Sequence, residues 1–221
     1  MHQIIETGDG SLSLFHESLN ESYHSIHGAV QESKHVFIKA GLELVASNKS
    51  EIRILEVGLG TALNAMLSID FAVQNPDIII HYVGIEAFPI ESGLVEKLSV
   101  PRNNKHRELF LQIHSMIDGE QLPLANNFLM TTHHQTFLEF QDTDKFDLIF
   151  YDAFGPAVQP EMWNFGSLKH CADLILPQGV WVSYCAKGVV RRTLAQNGFI
   201  MERLPGPPGK REMLRGTYRP I

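Results

Sequence analysis

Long hydrophobic runs are absent: nowhere do about 18 consecutive apolar residues occur, the length a membrane-spanning helix needs. The N-terminus, Met-His-Gln-Ile-Ile-Glu, lacks the basic region and apolar stretch of a secretory signal. Cysteine is nearly absent too. Cys171 and Cys185 have no metal-type spacing and suggest no disulfide framework, so a reducing cytoplasm is the expected compartment. His133 and His134 are adjacent, which on a strand points them to opposite faces, so no metal site is expected. No internal repeat, low-complexity tract or domain linker is apparent. At 221 residues the chain is expected to form one large domain.

What is present begins with residues 52–64. Ile52 to Val57 reads as a buried parallel strand, Gly58-Leu59-Gly60 as a sharp turn, and Ala62, Ala65, Met66 and Ile69 as a helix face. Strand, glycine turn and helix make a ligand-binding crossover, because the glycines let backbone approach a ligand. No Gly-Lys-Ser/Thr follows, which disfavours a phosphate-cradling loop. Leu63 stands where the dinucleotide fingerprint has its third glycine. The strand carries Glu56 just before the turn, and a carboxylate there would repel a pyrophosphate. It suits a cationic, hydroxyl-bearing ligand such as S-adenosylmethionine. A second strand, 78–86, ends in Glu86, well placed to accept both ribose hydroxyls.

Along the chain, residues 1–14 read as a hairpin, 15–25 as a polar loop and 28–46 as a helix. After the Glu86 strand come a loop and short helix over 88–104, a helix over 108–116, a third strand over 128–133 and a short helix over 136–140. The fourth strand, 146–152, ends in Asp152. Pro160 opens a helix, 180–185 is a fifth strand, 189–197 a helix, 199–204 a sixth strand, 206–209 a rigid turn and 210–219 a final strand. This alternation implies an α/β fold with a mostly parallel, seven-stranded, Rossmann-like sheet, the pattern of class I S-adenosylmethionine methyltransferases. Residues 1–50 are expected as an N-terminal hairpin and helix extension on the same domain, with 51–221 as the methyltransferase domain. Glu56, Glu86 and Asp152 all fall at carboxyl ends of strands, where ligands bind in such sheets.

Methyl transfer is an in-line displacement, so positioning supplies much of the catalysis. A nitrogen nucleophile must be neutral, and Asp152 is the candidate to orient it and take its proton. Phe154 would wall the acceptor pocket. Net charge is −7, yet residues 187–221 hold eight basic residues against two acids. A basic end on an acidic body is the asymmetry of a surface that meets a polyanion.

The segments Tyr151-Asp152-Ala153-Phe154-Gly155-Pro156-Ala157 and Pro160-Glu161-Met162-Trp163 resemble a signature of the tRNA wobble-uridine methyltransferases. These are the MnmC methyltransferase domain and its stand-alone relatives, called MnmD. Gly188-Val189-Val190-Arg191-Arg192 and Gly209-Lys210-Arg211-Glu212-Met213-Leu214 are similar to that family's C-terminal motifs. Glu56 to Thr61 with Asn64, and Glu86-Ala87-Phe88-Pro89, are similar to its cofactor motifs. Asp9-Gly10-Ser11 and Glu21 to Ser25 resemble the stand-alone members.

The resemblance implies methylation of 5-aminomethyl-2-thiouridine in tRNA to 5-methylaminomethyl-2-thiouridine, with S-adenosylhomocysteine as the other product. Asp152 would face the aminomethyl nitrogen. Glu56, Gly58, Leu59, Gly60, Asn64, Glu86, Ala87, Gln135, Thr136 and Asp152 would surround the cofactor. Tyr23, His24, Phe154, Arg191, Arg192, Lys210 and Arg211 would meet the tRNA. No FAD oxidoreductase domain and no flavin are expected, so a separate oxidoreductase is the expected source of the aminomethyl precursor. Two departures stand out. Ala62 replaces the family's third glycine and is expected to crowd the cofactor side of the turn. Gln135-Thr136 replaces the Gly-Asp whose acid meets adenine. Two alternatives share some of these features. An aminopropyltransferase of the polyamine-synthase type needs further acids around strand four, where this loop is apolar. A non-catalytic tRNA- or cofactor-binding module would have no use for Asp152.

Overall fold

The computed structural model describes residues 2–98 and 104–220. Its strands, in chain order, are β1 (His2–Glu6), β2 (Leu12–His16), β3 (Glu21–Ser22), β4 (Glu51–Val57), β5 (Ile79–Ile85) and β6 (Gln121–Ala125). They continue with β7 (Phe128–His133), β8 (Phe146–Tyr151), β9 (Ile175–Ser183), β10 (Phe199–Pro205) and β11 (Glu212–Tyr218). Among the described residues the central sheet runs β10-β11-β9-β8-β4-β5-β7-β6, and β1-β2-β3 form a small antiparallel sheet of their own. Strands β9, β8, β4, β5 and β7 are parallel, whereas β11 lies antiparallel between β9 and β10. The expected seven-stranded class I pattern is therefore there.

An eighth strand, β6, pairs antiparallel with β7 at the far edge. Its sequence, Gln-Leu-Pro-Leu-Ala, reads poorly as a strand because Pro123 donates no ladder bond, which only an edge tolerates. The strand β3 falls in what reads as a polar loop, and residues 137–139 form a turn rather than the expected helix. The bonds there are of the tighter i to i+3 kind, Glu139 N to Thr136 O at 3.1 Å and Phe140 N to Phe137 O at 3.3 Å. The helix expected after Pro160 is broken. A 3₁₀ turn, Pro160–Trp163, is followed by Phe165–Leu174, whose N-cap Asn164 accepts from Ser167 N at 3.0 Å. Of the loop expected over 88–104, residues 99–103 lie outside the described residues.

Both faces of the sheet are covered, so β8 (Phe-Asp-Leu-Ile-Phe-Tyr) is buried throughout and reads as one apolar run rather than an alternation. One core holds Phe37, Leu42, Ile54, Tyr82, Leu148 and Phe150 under the 29–46 helix and the Leu63–Gln74 helix. The other holds Leu55, Ile149, Tyr151, Trp181, Leu168 and Leu194 under the Phe165–Leu174 and Gly188–Gln196 helices. The 29–46 helix is widened to π geometry over Lys34–Leu42. Among the described residues, no helix is long and apolar enough to cross a membrane.

Candidate active site

The carboxyl ends of β4, β5, β7 and β8 meet at one rim. At its centre the turn after β4 is fixed by backbone bonds. Gly58 N and Leu59 N both donate to Ile85 O at 3.0 Å, tying the end of β4 to that of β5. Gly58 has φ +89°, and a Cβ there would lie 2.8 Å from Asp152 O, so no side chain fits. Gly60, at φ +50°, carries the ring of Tyr23 against its open face. Leu59 folds down onto Gly84.

Glu86 closes the rim. Its Oε2 accepts from Gly60 N and its Oε1 from Phe88 N, each at 2.9 Å. Burial raises its pKa, and the backbone donors oppose that rise. Ala87 follows at the half-buried edge. Among the described residues the rim thus offers open backbone, an ordered carboxylate and no phosphate-binding cation. That set fits a sulfonium nucleoside, with Glu86 to hold hydroxyls and Gly58 to Gly60 to lie against it.

Glu56 departs from its expected place at the rim. It is fully buried beneath the turn, its Oε1 accepting from Asn64 Nδ2 at 2.8 Å and its Oε2 from Tyr82 OH at 2.7 Å. A carboxylate unsolvated on every side finds its donors in the core, and burial pushes its pKa well up. Glu56 thereby fixes the Asn64 side chain. The same Asn64 Nδ2 also donates to Asp152 Oδ2 at 2.9 Å, so one amide joins the first and fourth strand ends. Asn64 is buried, and its Oδ1 has no partner among the described residues.

Asp152 N donates to Val57 O at 2.9 Å, which seats the residue against the glycine turn. Burial lifts its carboxyl pKa to about 8, with the Glu32 charge adding to the rise and Asn64 and Lys210 pulling it down. The loop that follows is anchored three ways. Phe154 N donates to Gln159 Oε1 at 3.2 Å, Trp163 Nε1 donates to Phe154 O at 2.7 Å, and Tyr184 OH donates to Ala153 O at 2.9 Å. The Met-Trp pair of the sequence thus serves the loop: Tyr151 OH donates to Met162 O as well.

The small N-terminal sheet docks on this rim. The Tyr23 ring meets Phe154 edge-on at 5.1 Å between centroids, and burial and the Glu86 charge raise its pKa to about 12. His24 lies 2.9 Å from Ser13 Oγ and 3.4 Å from Thr61 Oγ1, and burial lowers its pKa to about 4, which favours the neutral ring.

The expected cofactor residues at the third strand end are arranged otherwise. Thr136 Oγ1 donates to Glu139 Oε2 at 2.6 Å, so its side chain caps the local turn, while Gln135 is half-buried beside it. The acid brought to this strand end is Asp118, which accepts from His134 N at 2.9 Å. It comes from before β6, where no motif marks it. Ala62 does not crowd the rim. It is fully buried in the core, and its departure is in the backbone, at a left-handed φ of +58°.

The basic residues separate. Arg192 and Arg211 are exposed, and neither has an ion pair among the described residues; Arg191 is half-buried. Lys210 turns inward, its Nζ 2.6 Å from Glu32 Oε2 and 3.9 Å from the Tyr184 ring centroid. Glu32 and Tyr184 carry no sequence motif. Glu32 had one signal: it sits at helical spacing from Ala29, Val36 and Phe37, in an otherwise apolar stripe.

Comparison with known proteins agrees with this geometry. A family model described as S-adenosyl-L-methionine-dependent methyltransferase matches residues 114–219. The tRNA 5-methylaminomethyl-2-thiouridine biosynthesis bifunctional protein MnmC of Pseudomonas paraeruginosa is 30% identical over 212 residues, covering 89% of this chain and 32% of that protein. Its Delftia acidovorans counterpart is 28% identical, covering 90% and 33%. The chain spans about a third of the length of the curated relatives it matches. Among solved structures, MnmC2 from Aquifex aeolicus superimposes with a TM-score of 0.82 at 25% identity, over 100% of this chain and 72% of that one. An amino pentose methyltransferase from Micromonospora echinaspora, CalS10, bound to S-adenosylmethionine, shares the fold at a TM-score of 0.52 and 12% identity, over 92% and 94% of the two chains. The chain has the class I S-adenosylmethionine-dependent methyltransferase fold and is similar to the MnmC methyltransferase-domain family.

Proposed function

We propose that this chain methylates the amino nitrogen of 5-aminomethyl-2-thiouridine at the wobble position of tRNA, giving 5-methylaminomethyl-2-thiouridine. The observation that carries this reading is the placement of Asp152: a half-buried carboxyl held at 2.9 Å by Asn64 Nδ2, between the glycine turn and the apolar Phe154 loop, where desolvation raises its pKa. The names of the MnmC relatives supply the substrate class.

Bound S-adenosylmethionine supplies an activated methyl on its sulfonium. Glu86 and the backbone of Gly58 to Gly60 would hold it. Asn64 fixes Oδ2 of Asp152, leaving Oδ1 to accept the proton of the incoming ammonium, so that the nitrogen is neutral when it attacks. Tyr23 and Phe154 flank the pocket and exclude water. Arg191, Arg192 and Arg211 form the basic face for the tRNA backbone.

Incubation with labelled cofactor and tRNA bearing 5-aminomethyl-2-thiouridine, followed by nucleoside analysis, tests the reading. The expected product is 5-methylaminomethyl-2-thiouridine. Absence of transfer, or transfer to free polyamines instead, would overturn it.

A further inference from the structure

Glu32 has no part in the reaction just described, yet it is a charge in an apolar stripe, 6% exposed. A carboxylate in such a place is costly unless paired. Its Oε2 has the Lys210 ammonium at 2.6 Å and takes no hydrogen bond from another described group. That ammonium rests on the Tyr184 ring, and Tyr184 OH donates to Ala153 O, one residue from Asp152. Three segments remote in sequence converge on the acceptor side of the cleft.

Each segment is braced for this. Asp9 Oδ2 accepts from Gln31 N at 3.0 Å and Thr7 Oγ1 from Ala29 N at 3.3 Å, capping the turn that carries Glu32. His27 backs the 206–209 turn, and His35 Nε2 lies 2.8 Å from Pro205 O. The Asp9-Gly10-Ser11 motif thereby gains a purpose: it sets the helix that presents Glu32.

We propose that Glu32 is a positioning residue of the acceptor pocket, which draws Lys210 inward across Tyr184 and holds that cation beside Asp152. The lysine is then a wall of the pocket and not a contact to tRNA phosphate. This rests on the substrate reading above for the identity of the amine. The Lys210 cation favours the ionised, proton-accepting form of Asp152, against the larger opposing effect of the Glu32 charge, and it disfavours a second cation beside it, so the acceptor ammonium passes its proton to Asp152 Oδ1. The other ionisable groups that act on or are acted on by Asp152 are Glu56, Tyr82 and Tyr184.

The test compares Glu32→Gln, Lys210→Met, their combination and Arg211→Ala with the wild type. Each of the first two should lower kcat on the order of tenfold to a hundredfold. KM for tRNA and affinity for S-adenosylhomocysteine should stay within about twofold. The combined variant should fall no further than the worse single one, because the two act as a unit. The log–log salt slope of tRNA binding should hold in Lys210→Met and drop by about one in Arg211→Ala. Without any substrate, the Asp152 carboxyl followed by ¹³C NMR should titrate at higher pH in Lys210→Met and near its wild-type position in Lys210→Arg. A lowered salt slope with wild-type kcat in Lys210→Met, additive losses in the combination, or an unmoved Asp152 titration would each overturn the proposal. A wild type that methylates no tRNA would overturn the substrate reading instead, and the titration still decides the role of the pair.

Discussion

The two sides of the cleft are held by different kinds of bond. The cofactor side is backbone: the amides of Gly58, Leu59 and Gly60 go to Ile85 O and to Glu86, all within two neighbouring strand ends. The acceptor side is side chain: Asp152, Asn64, Glu32, Lys210 and Tyr184 arrive from five segments and meet as buried and half-buried polar groups. Backbone bonds between adjacent strands survive most substitutions and fail only where a Cβ enters. A buried side-chain network loses its balance with any member. Cofactor affinity and turnover should therefore be separable by mutation.

The sharpest separation is Asp152→Asn. It should lower kcat by about 10²- to 10⁴-fold while S-adenosylhomocysteine affinity, read by calorimetry, is kept. The same variant should be more stable than the wild type at pH 8. The folded carboxyl has its pKa raised to about 8 from an ordinary 3.8, so the folded chain keeps a proton that the unfolded chain releases. Stability from this group is thus lost as pH rises from about 4 to about 8, and asparagine removes that loss, a gain on the order of 1–3 kcal/mol in denaturant titrations.

Gly58→Ala should do the reverse. The added methyl meets Asp152 O at 2.8 Å in a left-handed backbone, so the turn shifts, with a stability loss of about 1–3 kcal/mol and a fall in cofactor affinity. Retained affinity would mean that the turn is less rigid than its hydrogen bonds indicate.

His24 joins the two sides through Thr61. Its folded pKa of about 4 lies below the ordinary 6.5, so the unfolded chain takes up the proton first. Stability should fall as pH drops from about 6.5 towards 4, by about 1–3 kcal/mol, and His24→Gln should flatten part of that fall in melting temperature. His114, likewise lowered to about 4 by burial, and His2, also lowered by burial, contribute to the rest.

The smallest effect belongs to Ala62→Gly. Relief of a left-handed alanine is offset by the freer unfolded chain, leaving under about 1 kcal/mol. Cofactor affinity should not change, since the methyl is buried in the core; a several-fold gain would place it at the rim after all.

The same contrast governs what the sequence made legible. The parallel strands as segments of the chain, the glycine turn, Glu86 and Asp152 are all local patterns, each readable within about ten residues. Lys210 and Arg211 read as one basic pair, and only the burial of Glu32, some 180 residues away, separates them. Glu56 read as a rim acid because its strand position is right. Its donors, Tyr82 and Asn64, lie in other elements. Strand β6 was hidden by Pro123, and Asp118 by the absence of any motif around it. Side-chain partners brought together from distant segments leave no spacing to read, and most of the acceptor side is of that kind.

The central claim is that burial and charge tune Asp152 to accept a proton near neutral pH. It is tested most directly by the pH dependence of kcat/KM for methyl transfer. The account gives a rate that rises with pH along a limb centred near 8, absent from the residual activity of Asp152→Asn. A profile that is flat through that range, or a limb that survives in the variant, would contradict it.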